Sequence, residues 1–357
     1  MTSPTWSLLR RFYPLAAFLG GFVWDALTLG QRVTPLAFWR LGAYLLGSAL
    51  LILLLARRHE RGTVAPAPGT GFSARGAMIL WQAPYLLMQF LYGGIFSALF
   101  ILYFKSAGHL GTWLMTAFLG ALLVGNEFAG DRYGRRFTLT WSLFALNAIL
   151  LLNFVMPHVA GSLDSRWFYL STGAGLVLTH GVRWLAPGHP GRIWPVWMIA
   201  ASLVLAWSLN MVAPVPLVKR DLAVGHDFES GNGRYALSVE PAPAWQFWRD
   251  QATSVHVQEG ERLYGLSAVF APPGVTALLE HRWAVKETSG WRQVATIRFQ
   301  STGGRDKGFR GHSWVNSPAP GDWRFTVATQ DGRIIGVMSF QVERAKATAV
   351  PLIVREF

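Results

Sequence analysis

Two constellations in this 357-residue chain combine residue types that can do chemistry. The first is Asp25 with Arg40, an acid and a base set inside apolar runs. Asp25 comes shortly before the end of one run and Arg40 shortly after the start of the next, so a hairpin brings them to similar depth, where opposite charges can pair. An unpaired charge in a bilayer costs about 2.5–3.5 kcal/mol on insertion scales, which makes such a pair a site hypothesis by default. The same residues also read as a structural ion pair, or as an Arg40 that snorkels to the interface. The second constellation is His281, Arg305, Arg310, Trp314 and Arg324 in the C-terminal third. If these converge, guanidinium forks and indole faces make a site for carboxylates, phosphates or sugar rings. His281 falls on an apolar alternating face, however, and there an imidazole is more often a hydrogen-bonded structural residue than a ligand.

Signatures of bond-making chemistry are missing. There is no G-x-S-x-G elbow, no H-E-x-x-H and no Walker-type phosphate loop, and Gly69-Thr70-Gly71 lacks the flanking strand and helix of a dinucleotide turn. The nine histidines do not pair at metal-ligand spacing, and the absence of cysteine excludes disulfides, thiolate metal sites and cysteine nucleophiles. No catalytic residue, metal ligand or cofactor is therefore assigned. Recognition is the expected chemistry. The alternative, a transporter or an enzyme acting on a membrane-embedded or lipid-linked substrate, would draw on Asp25 and Arg40.

The elements that carry these residues divide the chain into unlike halves. Hydrophobic residues make up 52% and charged residues 14%, against about 25% charged in soluble proteins. Residues 1–216 hold 15 of the 32 basic and 5 of the 19 acidic residues, leaving 17 and 14 for the remainder, so the net charge of +13 belongs mostly to the oily half. Seven apolar runs approach the roughly 20 residues that a helix needs to span a bilayer: Phe12–Gly30, Leu36–Leu55, Ala83–Phe104, Leu110–Asn126, Phe137–Met156, Trp167–Leu185 and Ile193–Ala213. Gln82, Gln89, Asn147, Asn153 and His180 within them read as interhelical hydrogen-bonding groups. Ala117, Ala121 and Gly125 form a small-residue stripe suited to close helix packing within the chain, with dimerisation as the other reading.

Placing the N-terminus in the cytoplasm puts eleven of the 15 basic residues on the cytoplasmic side and leaves Arg32, Arg40, Lys105 and Arg166 opposite, in line with the positive-inside rule. Seven crossings then send the C-terminal part to the periplasm. The charge reads as a topology signal, and nucleic acid is not an expected partner.

Beyond residue 213 the hydrophobic period changes. Tyr264–Phe270, Ala277–Val285, Val294–Gln300, Trp323–Thr329 and Ile335–Val342 read as alternating strands separated by Gly, Pro and Asp turns. Ala277, Leu279, His281, Trp283 and Val285 share one face, and Trp283 and Trp323 point inward, whereas Trp314 is the best exposed contact. Trp245 and Trp248, beside Pro241 and Pro243, suit a binding surface or an interfacial anchor. The expected fold is an α-helical transmembrane bundle of about seven helices followed by an all-β immunoglobulin-like sandwich. Its domains are 1–213 (membrane), 214–233 (linker) and 234–357 (periplasmic β-sandwich).

The stretches His281-Arg282-Trp283, Trp291-Arg292, Gly303-Gly304-Arg305, Gly308–Trp314, Gly321-Asp322-Trp323-Arg324 and Gly332–Phe340 resemble a bacterial β-module, domain-of-unknown-function family 2914. Tyr103-Phe104-Lys105-Ser106, Asn126-Glu127-Phe128 and Asp131-Arg132-Tyr133 resemble the uncharacterised helical membrane family 5924 that commonly precedes it. The resemblances imply an inner-membrane architecture and carry no activity and no catalytic residues. The expected partners are the lipid bilayer and a periplasmic protein or glycan.

Overall fold

The computed structural model describes residues 23, 27, 35–63, 65–66, 72–128, 132–231, 234–345 and 351–357. Asp25 and the apolar run Phe12–Gly30 fall outside the described residues as a pair partner and a span. The described chain divides into two compact units, one of residues up to Phe104 with Leu114–Met156 and Arg166–Leu209, the other of Lys105–Trp113, Pro157–Ser165 and Asn210–Phe357.

The first unit is helical, with α1 (Pro35–Glu60), α2 (Phe72–Ser106), α3 (Leu110–Glu127), the single turn α4 (Arg132–Arg135), α5 (Phe137–Ala160), α6 (Ser165–Leu185) and α7 (Trp194–Ser208). Six of the seven expected runs coincide with these helices, but the expectation of seven spans needs correction. Among the described residues three helices, Leu36–Glu60, Gly76–Ser106 and Phe137–Ala160, are long and apolar enough to cross a membrane. α7 has 15 residues, about 22 Å at 1.5 Å per residue and short of a hydrocarbon core of about 30 Å. α6 is interrupted by Ser171, Thr172, Thr179, His180 and Arg183, and α3 ends on Asn126-Glu127 after 18 residues.

Interhelical hydrogen bonds hold the polar groups of this unit. Asn126 donates to the Gln89 carbonyl at 2.9 Å and Gln89 to the Glu127 carbonyl at 2.9 Å. Tyr133 donates to the Asn126 side chain, and Tyr92 to the Thr140 carbonyl at 3.0 Å. Asn153 donates to the Tyr103 hydroxyl at 2.9 Å. His180 instead meets its own helix at the Leu176 carbonyl, 2.9 Å away, and the buried Asn147 amide has no hydrogen-bond partner among the described residues. Ala117, Ala121 and Gly125 are exposed, so among the described residues the stripe is not a packing face; a close approach on α3 is Gly120 against the Phe100 ring.

The second unit is a β-sandwich with an added sheet. Its strands are β1 (Val218–Gly225), β2 (Phe228–Gly231), β3 (Arg234–Val239), β4 (Ser254–Val257), β5 (Arg262–Phe270), β6 (Thr276–Glu287), β7 (Gly290–Thr302), β8 (Phe309–Asn316), β9 (Gly321–Thr329), β10 (Ile334–Arg344) and β11 (Ile353–Glu356). A five-stranded sheet β4-β10-β9-β6-β7 faces a three-stranded sheet β1-β5-β8, and a third sheet β11-β3-β2 stands apart in the pairing. All pairs are antiparallel except β10 with β4. Residues 214–233, expected as a linker, contain β1, which pairs with β5 along its length, and β2.

The sandwich core joins Leu222, Leu263, Val269, Leu279, Trp283, Trp323, Phe325 and Val327 from both facing sheets. Ala277, Leu279, His281, Trp283 and Val285 are all buried, as strand alternation requires. Two glycines make room for the large rings. A Cβ on Gly265 would lie 2.6 Å from both Phe325 and Trp283, and one on Gly311 would lie 2.6 Å from Phe299. A smaller core of Ala223, Leu237, Val239 and Leu266, flanked by Phe228, Tyr235 and Tyr264, seats the third sheet on the outer face of β1-β5-β8.

Candidate functional site

Strand β8 reads Phe-Arg-Gly-His-Ser-Trp-Val-Asn, and its period of two sends Gly311, Ser313 and Val315 inward while Arg310, His312 and Trp314 face outward. The register sets Trp314 opposite Tyr264 of β5, His312 opposite Leu266 and Arg310 opposite Ala268. An aromatic row results. The Trp314 ring lies 6.2 Å from Tyr264 and 6.4 Å from His312, and His312 stacks on Phe228 of β2 at 4.4 Å. Guanidinium groups stand at both ends: Arg262 is 6.0 Å from the Trp314 ring and Arg310 is 5.8 Å from the Tyr235 ring. Trp314 remains 45% exposed. Burial lowers the pKa of His312, so this face carries its positive charge on the two arginines near neutral pH.

The five residues grouped from the sequence do not form one site. Arg310 and Trp314 share the outer face of β8. His281 lies on the other side of that sheet, fully buried, with its Nε2 2.8 Å from the Ser267 hydroxyl and its Nδ1 2.9 Å from the Ser313 hydroxyl. Ser313 also accepts from Trp283 Nε1 at 2.9 Å, so two serines from β5 and β8 tie the imidazole and indole of β6 across the sandwich. The His281 ring packs 4.7 Å from Phe299 and 4.8 Å from Phe325. Arg305 lies over Phe309 at 5.4 Å, and Arg324, on the outer face of the opposite sheet, covers Trp291 at 4.0 Å. Arg40 is part of α1.

Sequence reading missed Arg262, Tyr264, His312, Phe228 and Tyr235. The alternation Arg310-x-His312-x-Trp314 was the available signal for His312. The others reach the row only through strand register and through β2 and β3, which the sequence does not announce.

A second cluster chains carboxylates and imidazoles. His226 lies 2.7 Å from Glu261 through Nδ1 and 3.0 Å from Glu240 through Nε2, and Glu240 also meets His256 Nδ1 at 2.8 Å and accepts from its backbone N–H at 2.6 Å. With a carboxylate at each nitrogen, His226 can donate to both only as the imidazolium, the form that this setting favours. Burial alone would lower its pKa, but the hydrogen bonds and charges of Glu240 and Glu261 outweigh burial and raise it. Burial likewise opposes the Glu240 carboxylate, yet hydrogen bonds from His226 and His256 hold its pKa below the usual range. The chain ties the turn after β1 to the end of β3 and to β4. No group of three or more His, Cys, Asp or Glu among the described residues has the arrangement to hold a metal ion.

Residues 277–342 match the model of the family described as "Protein of unknown function (DUF2914)". The match runs from β6 to β10, includes Arg310 and Trp314, and supplies no activity. No curated protein matches the chain. Among solved structures the chain is similar to an immunoglobulin-like protein from Pseudomonas aeruginosa, at 15% identity and a TM-score of 0.20, covering 34% of this chain and 97% of that one. It is also similar to the alkylpurine DNA glycosylase AlkC of Pseudomonas fluorescens bound to DNA with an abasic site analog, at 12% identity and a TM-score of 0.20, covering 84% of this chain and 76% of that one. At such TM-scores neither superposition defines a shared fold, and neither protein's activity transfers to this chain.

Proposed function

We propose that the chain is an integral protein of a bacterial inner membrane, related in its N-terminal half to the helical family 5924, with its N-terminus in the cytoplasm and its β unit in the periplasm. The β unit is a recognition module, and the row from Arg262 through Trp314 and His312 to Arg310 binds an acidic glycan. The observation that carries this reading is the row itself. An exposed indole flanked by further rings suits the apolar faces of sugars, and guanidinium groups at both ends suit their carboxylates or phosphates. The membrane reading is supported by three apolar helices and by the basic residues gathered on one proposed side. It is supported further by unit membership: the segments Lys105–Trp113, Pro157–Ser165 and Asn210 onward, all expected on one side of the membrane, belong to the same compact unit.

The test is titration of the detergent-solubilised full chain with a uronic-acid oligosaccharide and with its neutral counterpart. Trp314→Ala weakens binding of both at least tenfold, equivalent to about 1.4 kcal/mol. Arg310→Gln weakens the acidic ligand selectively. Equal binding by wild type and Trp314→Ala, or no binding of either sugar, contradicts the assignment and leaves a protein partner as the occupant to seek.

A further inference from the structure

Between β3 and β4 the chain runs out in a loop whose tip exposes three large aromatic side chains, Trp245 at 67%, Phe247 at 89% and Trp248 at 61%. We propose that this tip inserts into the headgroup region of an anionic phospholipid bilayer, giving the β unit a lipid contact of its own beyond the glycan-binding row. The rings touch one another, Trp245 and Phe247 lying 6.0 and 5.1 Å from Trp248, and they form no part of the sandwich core. Two successive turns shape the tip, with Gln246 N–H donating to the Pro243 carbonyl and Arg249 N–H to the Gln246 carbonyl, both at 2.8 Å. The base is pinned. Buried Gln251 pairs with both backbone groups of Val224 at 3.3 Å, and Ala252 N–H donates to the Glu240 carbonyl at 2.8 Å. The knuckle is therefore held outward, so its exposure does not reflect an unanchored strand of chain.

Two further observations select lipid as the occupant. Exposed Arg249 lines one concavity with Lys219 and Arg220, and the carboxylates there, Asp221 and Asp250, are engaged by Arg355 at 2.8 and 3.7 Å. With Arg355, four basic side chains face two carboxylates, a surplus of two positive charges beside the aromatic tip, and that pairing favours anionic headgroups over neutral ones. The β unit also contains the continuations of two helices apolar enough to cross a membrane, Gly76–Ser106 and Phe137–Ala160. Past the second, Thr276 N–H of β6 donates to the Gly161 carbonyl at 2.9 Å. A bilayer surface is covalently close at hand, and Trp rings concentrate at that surface.

The native chain has no cysteine, so Phe247→Cys in the full chain gives one site for an environment-sensitive fluorophore. The labelled protein is reconstituted in vesicles of phosphatidylcholine and phosphatidylglycerol, with Lys307→Cys as the solvent-exposed reference. The expected result is a blue-shifted label at position 247, quenched at least twofold by lipids brominated near the headgroup and shielded from aqueous iodide, while the label at 307 shows the reverse. Lipid quenching is at least twofold weaker in pure phosphatidylcholine. A label at 247 that iodide reaches and brominated lipid does not overturns the proposal. Shielding from iodide without lipid quenching overturns it too, in favour of a second copy of the chain.

Discussion

His281 and His226 lie in the same β unit and respond to pH with opposite signs. Burial foremost, and then the nearby charge of His312, push the His281 pKa down to about 3. The unfolded chain takes up a proton near the ordinary value of about 6.5 that the folded one refuses, so stability falls as the pH drops through that window. The ceiling on this loss is about 5 kcal/mol at about 1.4 kcal/mol per pKa unit. His226 behaves conversely. Its raised pKa contributes stability that is complete below the unfolded value and lost as the pH rises through the folded one. Urea midpoints of the full chain, followed by tryptophan fluorescence, should therefore decline on the acid side in wild type and in His226→Gln, but only weakly in His281→Gln. Near neutral pH that variant should be less stable by about 1–3 kcal/mol, because Ser267 and Ser313 lose their shared partner, and the gap to wild type should narrow or reverse as the pH falls. An unchanged acid decline in His281→Gln would assign that limb to another group.

At the scale of elements, the sandwich depends on small residues placed opposite large ones. Gly265→Ala forces a methyl group against Phe325 and Trp283, and overpacking of this kind costs about 1–3 kcal/mol. Gly231→Ala, with no neighbour within 4 Å, should leave the thermal midpoint unchanged; equal midpoints for both variants would show that the rings yield freely. The same elements explain what the sequence made legible. Five strands, β5, β6, β7, β9 and β10, could be read from hydrophobic period and turn residues, because each sends side chains such as Leu263, Leu279, Trp283, Phe299, Phe325 and Phe340 into the core. β1 opens with Lys219-Arg220-Asp221 and bulges there, and β2 has only four residues, so together they resembled a linker. β8 carries Gly311 in place of an apolar residue on its inward face, because Phe299 fills that space. Arg310 and Trp314 were nonetheless visible as residues, and only the register of β8 against β5 could show that Tyr264 and Arg262 join them while His281 and Arg324 do not.

For the whole molecule, the membrane reading makes the chain an anchored receptor. The segments that follow α2, α5 and α7 in the sequence, and those that precede α3 and α6, belong to the same compact unit as the β-strands. The composition showed an oily half and a basic excess, but length and polarity within α3, α6 and α7 leave three helices that satisfy the requirements of a span unaided. α3 and α6 fall short through their polar residues and α7 through its length, which a count of apolar runs does not weigh. The central claim, that the β unit faces away from the cytoplasm, is tested most directly by cysteine accessibility in intact cells. Lys307→Cys, on the β unit, should react with a membrane-impermeant thiol reagent after the outer membrane is opened, and Arg61→Cys, beyond α1, only after the inner membrane is permeabilised. Labelling of position 61 in intact inner membranes, with protection of position 307, would contradict it.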